Sequence, residues 1–200
     1  MKNTLGTSLR VTLFGESHGE AIGAILDGAP AGIKVDLHFI NNLLTLRRPV
    51  GTISTARKEQ DEFKIVSGVF EGFTTGAPIC ILIPNKDTKS KDYDNLKDLV
   101  RPSHADFTAS VKYKGFEDKR GGGHFSGRIT AAIVAAGAIC KYALEQKGII
   151  IGTHVKRCAG ISDSDFGDIK ADIKSLNEKS FAVLDQAKAE EMTNAIISAA

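Results

Sequence analysis

Apolar and polar positions alternate over residues 9–14, the period of a strand with one buried face, and residues 21–26 read as a second strand. Between them Gly15-Glu16-Ser17-His18-Gly19 forms a glycine-bounded loop, and Asp27-Gly28 closes the second strand with a turn signal. The period then changes. After Asp36, a residue type suited to an N-cap, Ile40, Leu43 and Leu44 recur at helical spacing until Arg47 and Arg48, and Pro49 forbids continuation. Residues 63–70 and 77–83 are predicted as two more strands, joined through the turn formers of 71–76.

Residues 85–98 are charged and almost free of aliphatic side chains, which predicts a long surface loop. In Arg101-Pro102-Ser103-His104-Ala105-Asp106, Ser103 is placed to cap a short helix with His104 in its first turn. The longest run of small and apolar residues, 129–144, belongs to a helix predicted over 126–146 with Gly148 as its stop. Its alanines predict close packing and burial on most of its circumference. A further strand is expected over 149–155, then a polar stretch, then a helix over 185–200. That last helix reaches Ala200 without a capping residue, which suggests a sequence cut short.

The chain has 200 residues, 42% of them hydrophobic, enough to bury a core. A formal charge of +2, spread rather than clustered, argues against a nucleic-acid partner. Cys80, Cys140 and Cys158 are too far apart for a zinc motif or a disulfide framework, so reduced thiols, no metal and a cytoplasmic location are expected. No signal core is visible, and no window reads as the roughly 18 apolar residues of a membrane span, so no membrane partner is expected.

The chemistry concentrates at Arg120-Gly121-Gly122-Gly123-His124-Phe125-Ser126-Gly127-Arg128. Three glycines permit close backbone approach, a helix starting after them would aim N–H groups at a ligand, and the flanking guanidiniums can fork onto phosphate or carboxylate. His18 and His104, both beside backbone punctuation, are candidates for proton transfer near neutral pH. His38 and His154 fall inside element-like segments and read as structural. Arg47 and Arg48 are ligand candidates too, although cations at a helix end also simply complement its dipole. Gly15-Glu16-Ser17-His18-Gly19 fits G-x-S-x-G, so a serine hydrolase using Ser17 is an alternative, but the helix that fold needs after the serine is interrupted by glycines and Pro30. The segment from Gly122 to Ile129 approaches a P-loop but carries Arg128 and Ile129 where lysine and a hydroxyl belong.

Taken in order, GESHGEAIGAILDGAP, LRRP, RKEQDEF, SGVFEGFTTGAPICILIPNKDTKSKDYD, RPSHAD and GGGHFSGRITAAIVAAGAI closely resemble the chorismate synthase family, in register from about Gly6 to about Leu144. The resemblance implies an α+β fold, the family's layered β-α-β-α sandwich, here incomplete, with residues 1–200 as the N-terminal portion of a single domain. It implies a lyase of the shikimate pathway for aromatic amino acids. The reaction converts 5-enolpyruvylshikimate 3-phosphate to chorismate and phosphate by 1,4-anti elimination, with reduced FMN and no net redox change. By the same resemblance NADPH serves some members as flavin reductant, and complete members form homotetramers.

Site roles follow by similarity. His18 would protonate the leaving phosphate and His104 would hold a proton against reduced flavin. Arg47, Arg48 and Arg128 would grip the substrate's anionic groups, Arg47 also matching a nicotinamide-contacting position. His124, Phe125 and Ser126 match the flavin-contacting tripeptide, with Ser126 as a donor. Many members carry arginine where this chain has His124, which implies a weaker, pH-sensitive contact. Residues 50–54 depart from the family pattern and lack a second arginine, Arg57 being the nearest substitute. Members are nearly twice this length, and their later half holds further flavin contacts and an aspartate that assists hydrogen removal. Half an active site, weak FMN binding and little turnover are therefore expected of this chain. A non-catalytic fragment or interaction module is the alternative.

Overall fold

Five strands hydrogen-bond into one antiparallel sheet in the order β1 (Thr4–Gly6), β2 (Arg10–Gly15), β3 (Ala21–Asp27), β7 (Ile79–Pro84) and β4 (Lys64–Ser67). The computed structural model describes residues 3–49, 53, 60–86 and 99–199. In the register of β3 against β7, Ile22, Ala24 and Leu26 stand opposite Ile83, Ile81 and Ile79, so side-chain alternation puts all six on one face, and all six are buried. On the other face Ile25 stays 36% exposed.

Two helices bury their apolar stripes in the same cluster as that sheet face. The first, α1 (Leu37–Arg47), contributes Ile40 and Leu44, and Asp36 caps it by accepting the Phe39 N–H at 3.0 Å. From α3 (Thr130–Glu145) come Ala131, Ala132, Ala135, Ala136, Ala138 and Ile139, whose short side chains allow the backbone to lie close to its neighbours. Gly148 stops this helix with φ +73°, and the Ile149 N–H reaches back to Leu144 O at 3.0 Å. By length and composition the 19 residues Gly127–Glu145, which contain an 18-residue window of mean hydropathy 1.3, could cross a membrane, contrary to the reading of the sequence; 44% of that window is buried in the protein.

Contacts divide the chain into two compact units, residues 1–45 with 59–140 and residues 46–58 with 141–200. The second has its own small core of Val183, Ala189 and Met192. It comprises the hairpin β8 (Arg157–Cys158) to β9 (Ile161–Ser162), α4 (Ile169–Leu176) and α5 (Gln186–Ala199). Asp168 caps α4 by accepting the N–H groups of Lys170 and Ala171. Asp163 staples the unit: its carboxylate accepts from the N–H groups of Ser164, Leu184 and Asp185 and from His154 Nδ1. Burial alone would raise its pKa, but those donors hold it at about 2.

Several expectations are corrected. The strand predicted over 63–70 breaks at Gly68, where φ is +82° and a β-carbon would strike the Ile79 backbone, giving β4 and a separate β5 (Val69–Phe70) that pairs with β6 (Phe73–Thr74). Ser103 is no cap: its φ of +61° is incompatible with an N-cap, and α2 (Asp106–Tyr113) starts after His104 rather than around it. The glycine run does not open directly onto a helix. Two 3-10 turns, Gly123–Phe125 and Gly127–Ile129, precede α3. Residues 149–155 form no strand, and Ile149, Ile150 and Ile151 remain about half exposed. A four-turn helix at the C-terminus is as predicted, whereas α4 was not anticipated from its polar stretch. The expected surface loop lies from residue 87 onward outside the described residues, as does Arg57. All three cysteines are free, and among the described residues no cluster of potential metal ligands occurs.

Candidate active site

In the first unit a cavity of about 280 Å³ opens between the start of α2 and the glycine run, lined among others by Arg101, His104, Asp106, Tyr113, the three glycines and His124. The glycines are there because no other residue fits. A β-carbon on Gly121, already at φ +62°, would come within 2.3 Å of His18 Cε1 and Nδ1, and one on Gly122 would lie 2.9 Å from Ser126 Cα and 3.1 Å from His104 Nε2. Consecutive glycines thus lie against the two imidazoles singled out by the sequence: His104 lines the cavity, and His18 packs behind Gly121, outside the lining.

His104 is held from behind. Its Nδ1 lies 2.6 Å from Asp106 Oδ1, and Arg101 fixes Asp106 through Nε at 2.8 Å, Nη2 at 2.7 Å and its own backbone N–H at 2.9 Å. Arg101 keeps the Asp106 carboxyl well below the usual carboxylate range, so it is an anion that only accepts. Arg101 Nη2 also approaches His104 Nδ1, at 3.2 Å, and donates to Gly121 O at 2.7 Å. The shorter, charge-assisted contact decides the tautomer: Nδ1 carries the hydrogen toward Asp106, and Nε2, beside Gly122, is left to take or give a proton.

His18 sits in the turn between β2 and β3, only 8% exposed, with Nδ1 3.0 Å from Ser17 Oγ and its ring against Gly121. The glycine run is stapled to this turn twice, by the Ser17 N–H to Gly123 O at 3.1 Å and by His124 Nδ1 donating to Gly15 O at 2.8 Å. Ser17 itself is 1% exposed and the turn leads into a strand, so the exposed strand-to-helix elbow that a hydrolase nucleophile needs is absent.

The remaining predicted residues are placed as follows. Phe125 is 39% exposed near Tyr113, with ring centroids 6.1 Å apart, and Lys112 Nζ lies 5.4 Å from the Phe125 ring and 4.7 Å from that of Tyr113. Ser126 Oγ accepts the Arg128 N–H at 3.2 Å and so caps the second 3-10 turn. Arg128 is 4% exposed, paired with Asp61 and donating to Asn85 Oδ1 and Pro84 O. Arg120 forks onto Asp118, whose carboxyl it lowers. Arg47 ends α1 and Arg48 follows it; by contacts both belong to the second unit. Arg101, Asp106, Asn85 and Asp61 were missed as site residues. The five-residue spacing of Arg101 and Asp106 around a histidine was the one local signal; Asn85 and Asp61 gave none.

Bare glycine backbone on one wall and the Tyr113–Phe125 aromatic pair on another suit a flat cofactor, with Arg101 as a cation in the lining; Glu117 Oε2, buried there without a partner among the described residues, calls for a donor rather than an anion.

Comparison with known proteins gives one answer. The chorismate synthase family model matches residues 9–200. A chorismate synthase of a Nitratiruptor species is 54% identical over 165 residues, 82% of this chain and 46% of its own length; that of Aliarcobacter butzleri is 48% identical over 198 residues, 98% of this chain and 54% of its own. A crystal structure of chorismate synthase superposes with a TM-score of 0.67 at 30% identity, covering 96% of this chain and 53% of that one. The chain thus spans about half the length of the relatives it matches. A cavity assembled from the family's own motifs, on a backbone that follows a solved member, leads to one conclusion: this chain belongs to the chorismate synthase family.

Proposed function

We propose that this chain supplies one half of a site that eliminates phosphate from 5-enolpyruvylshikimate 3-phosphate to give chorismate. The observation that carries the reading is the pair of imidazoles on consecutive glycines: His18 against Gly121, and His104 with Nε2 beside Gly122. A leaving phosphate is a poor leaving group as a full anion, and a proton delivered in the transition state lowers the charge to be stabilised. His18 is the proposed donor. His104, with Nδ1 committed to Asp106, offers a single working nitrogen and holds its proton toward the cofactor.

Reduced FMN, when bound, supplies electron density to the breaking C–O bond. Phe125 and Tyr113 form its proposed apolar wall, with Lys112 Nζ over their rings, and His124 and Ser126 its polar edge. Arg47 and Arg48 are proposed for the substrate's anionic groups, whereas Arg128, enclosed and paired with Asp61, serves the fold around the site instead; NADPH is the proposed flavin reductant and a homotetramer the complete assembly, in the cytoplasm. Calorimetry of the chain with FMN and the phosphorylated substrate tests the reading: weak ternary binding that His104→Ala abolishes supports it, and no heat with either ligand favours the interaction module, which the half-length coverage of the relatives motivates.

A further inference from the structure

The turn that carries His18 is held from the end of another strand. Asn85 directly follows β7, and its backbone N–H donates to Glu20 O at 3.0 Å. Its side-chain Nδ2 donates to both Glu16 O and Gly19 O, each at 2.9 Å. Those two carbonyls bound the turn around Ser17 and His18, whose own closing bond runs from the Gly19 N–H to Glu16 O at 3.1 Å. One side-chain amide therefore ties the turn shut a second time.

The orientation of that amide is not free. With Nδ2 toward two carbonyls, Oδ1 must face the opposite way, and there it accepts Arg128 Nε at 3.1 Å. Turned over, the amide would set its donors against a guanidinium and its oxygen against two carbonyl oxygens, three contacts of like polarity. Arg128 is itself pinned by its pairing with Asp61 and by Nη2 to Pro84 O at 3.3 Å. We infer that Asn85 is a positioning residue of the site: it locks the turn bearing His18, and Arg128 acts on the site by fixing which way Asn85 points. Its functional consequence rests on the reading of His18 as the site's acid; the lock itself is a property of the free protein.

The test is amide hydrogen exchange and imidazole NMR on the 200-residue chain. Asn85→Asp keeps an oxygen for Arg128 and replaces both donors with an acceptor. The Ser17 and Gly19 amides should then exchange about tenfold faster or more, while those of β3 and β7 keep their rates and the His18 ring signals shift or broaden. Arg128→Lys, which keeps a cation for Asp61 but lacks Nε, should loosen the same two amides to a smaller extent, and it serves as the reading should Asn85→Asp fail to fold. Unchanged Ser17 and Gly19 exchange in both variants overturns the inference, and so does equal acceleration throughout β3 and β7. Absence of ternary binding in the parent chain would instead count against the proposed function alone. Should the parent bind, equal affinity in Asn85→Asp overturns the positioning role.

Discussion

Two imidazoles in this chain meet an aspartate through Nδ1 at nearly the same distance, 2.6 Å for His104 with Asp106 and 2.7 Å for His154 with Asp163, yet their surroundings differ in every other respect. Asp106 is completed by an arginine and its side chain remains 20% accessible; Asp163 is completed by three backbone N–H groups and is fully enclosed. Beyond the imidazole, His104 presents Nε2 to a glycine wall and a cavity, whereas the His154 ring stands edge-on to Phe166 with centroids 4.8 Å apart. A histidine–carboxylate pair is therefore not in itself a catalytic signature. What the second ring nitrogen faces, and whether the carboxylate is spent on the backbone, separates a working pair from a structural one.

The sharpest way to break that contrast is kinetic. In a form of the protein that turns over, His104→Ala should lower the rate of chorismate formation by about a hundredfold to ten-thousandfold, the range of general acid–base groups, and His18→Ala likewise. His154→Ala should leave the rate per folded molecule unchanged, and equal losses from His104 and His154 would erase the distinction.

Stability should sort the pairs in the opposite sense. Asp163→Ala strands three enclosed N–H donors and should cost about 3 kcal/mol in denaturant unfolding, against about 1 kcal/mol for Asp106→Ala, whose partners reach the cavity. The pH dependence sharpens this further. Asp163 titrates at about 2 in the folded chain, below its ordinary 3.8, so its contribution is present above about pH 4 and is lost as pH falls from there through about 2. That contribution is about 2 kcal/mol, and Asp163→Asn should remove this part of the acid sensitivity, as followed by urea midpoints from pH 5 downward. Gly122→Ala is the most local change. The methyl, 2.9 Å from Ser126 Cα and 3.1 Å from His104 Nε2, should cost about 2 kcal/mol in thermal unfolding and displace His104 enough to weaken FMN binding. Unchanged FMN affinity would detach that imidazole from the cofactor wall.

Much of the fold was legible because it is encoded at short range. The period of residues 21–26 and 77–83, the Asp36 cap with its helix, and the alanines before Gly148 each state a local preference that the structure follows. The glycine run was legible as a place of close approach. The failures share a cause as well. The apolar run 149–155 satisfies strand composition but finds no ladder partner, and the helix around Ser103 was displaced when Arg101 and Asp106 bonded across the turn.

By itself, then, the sequence determined the family, the α+β class, the main strands and helices, and the residue types of the candidate site, since propensity, periodicity and motif spacing act within a few positions along the chain. Only the tertiary structure decided which groups meet: Arg128 with Asp61 across 67 residues, Asn85 with the His18 turn across 66 and 69, and His124 with Gly15 across 109. The physical reason is that a buried charge or amide takes whatever partner the packed backbone brings within about 3 Å, and no local pattern records a contact that long-range folding creates.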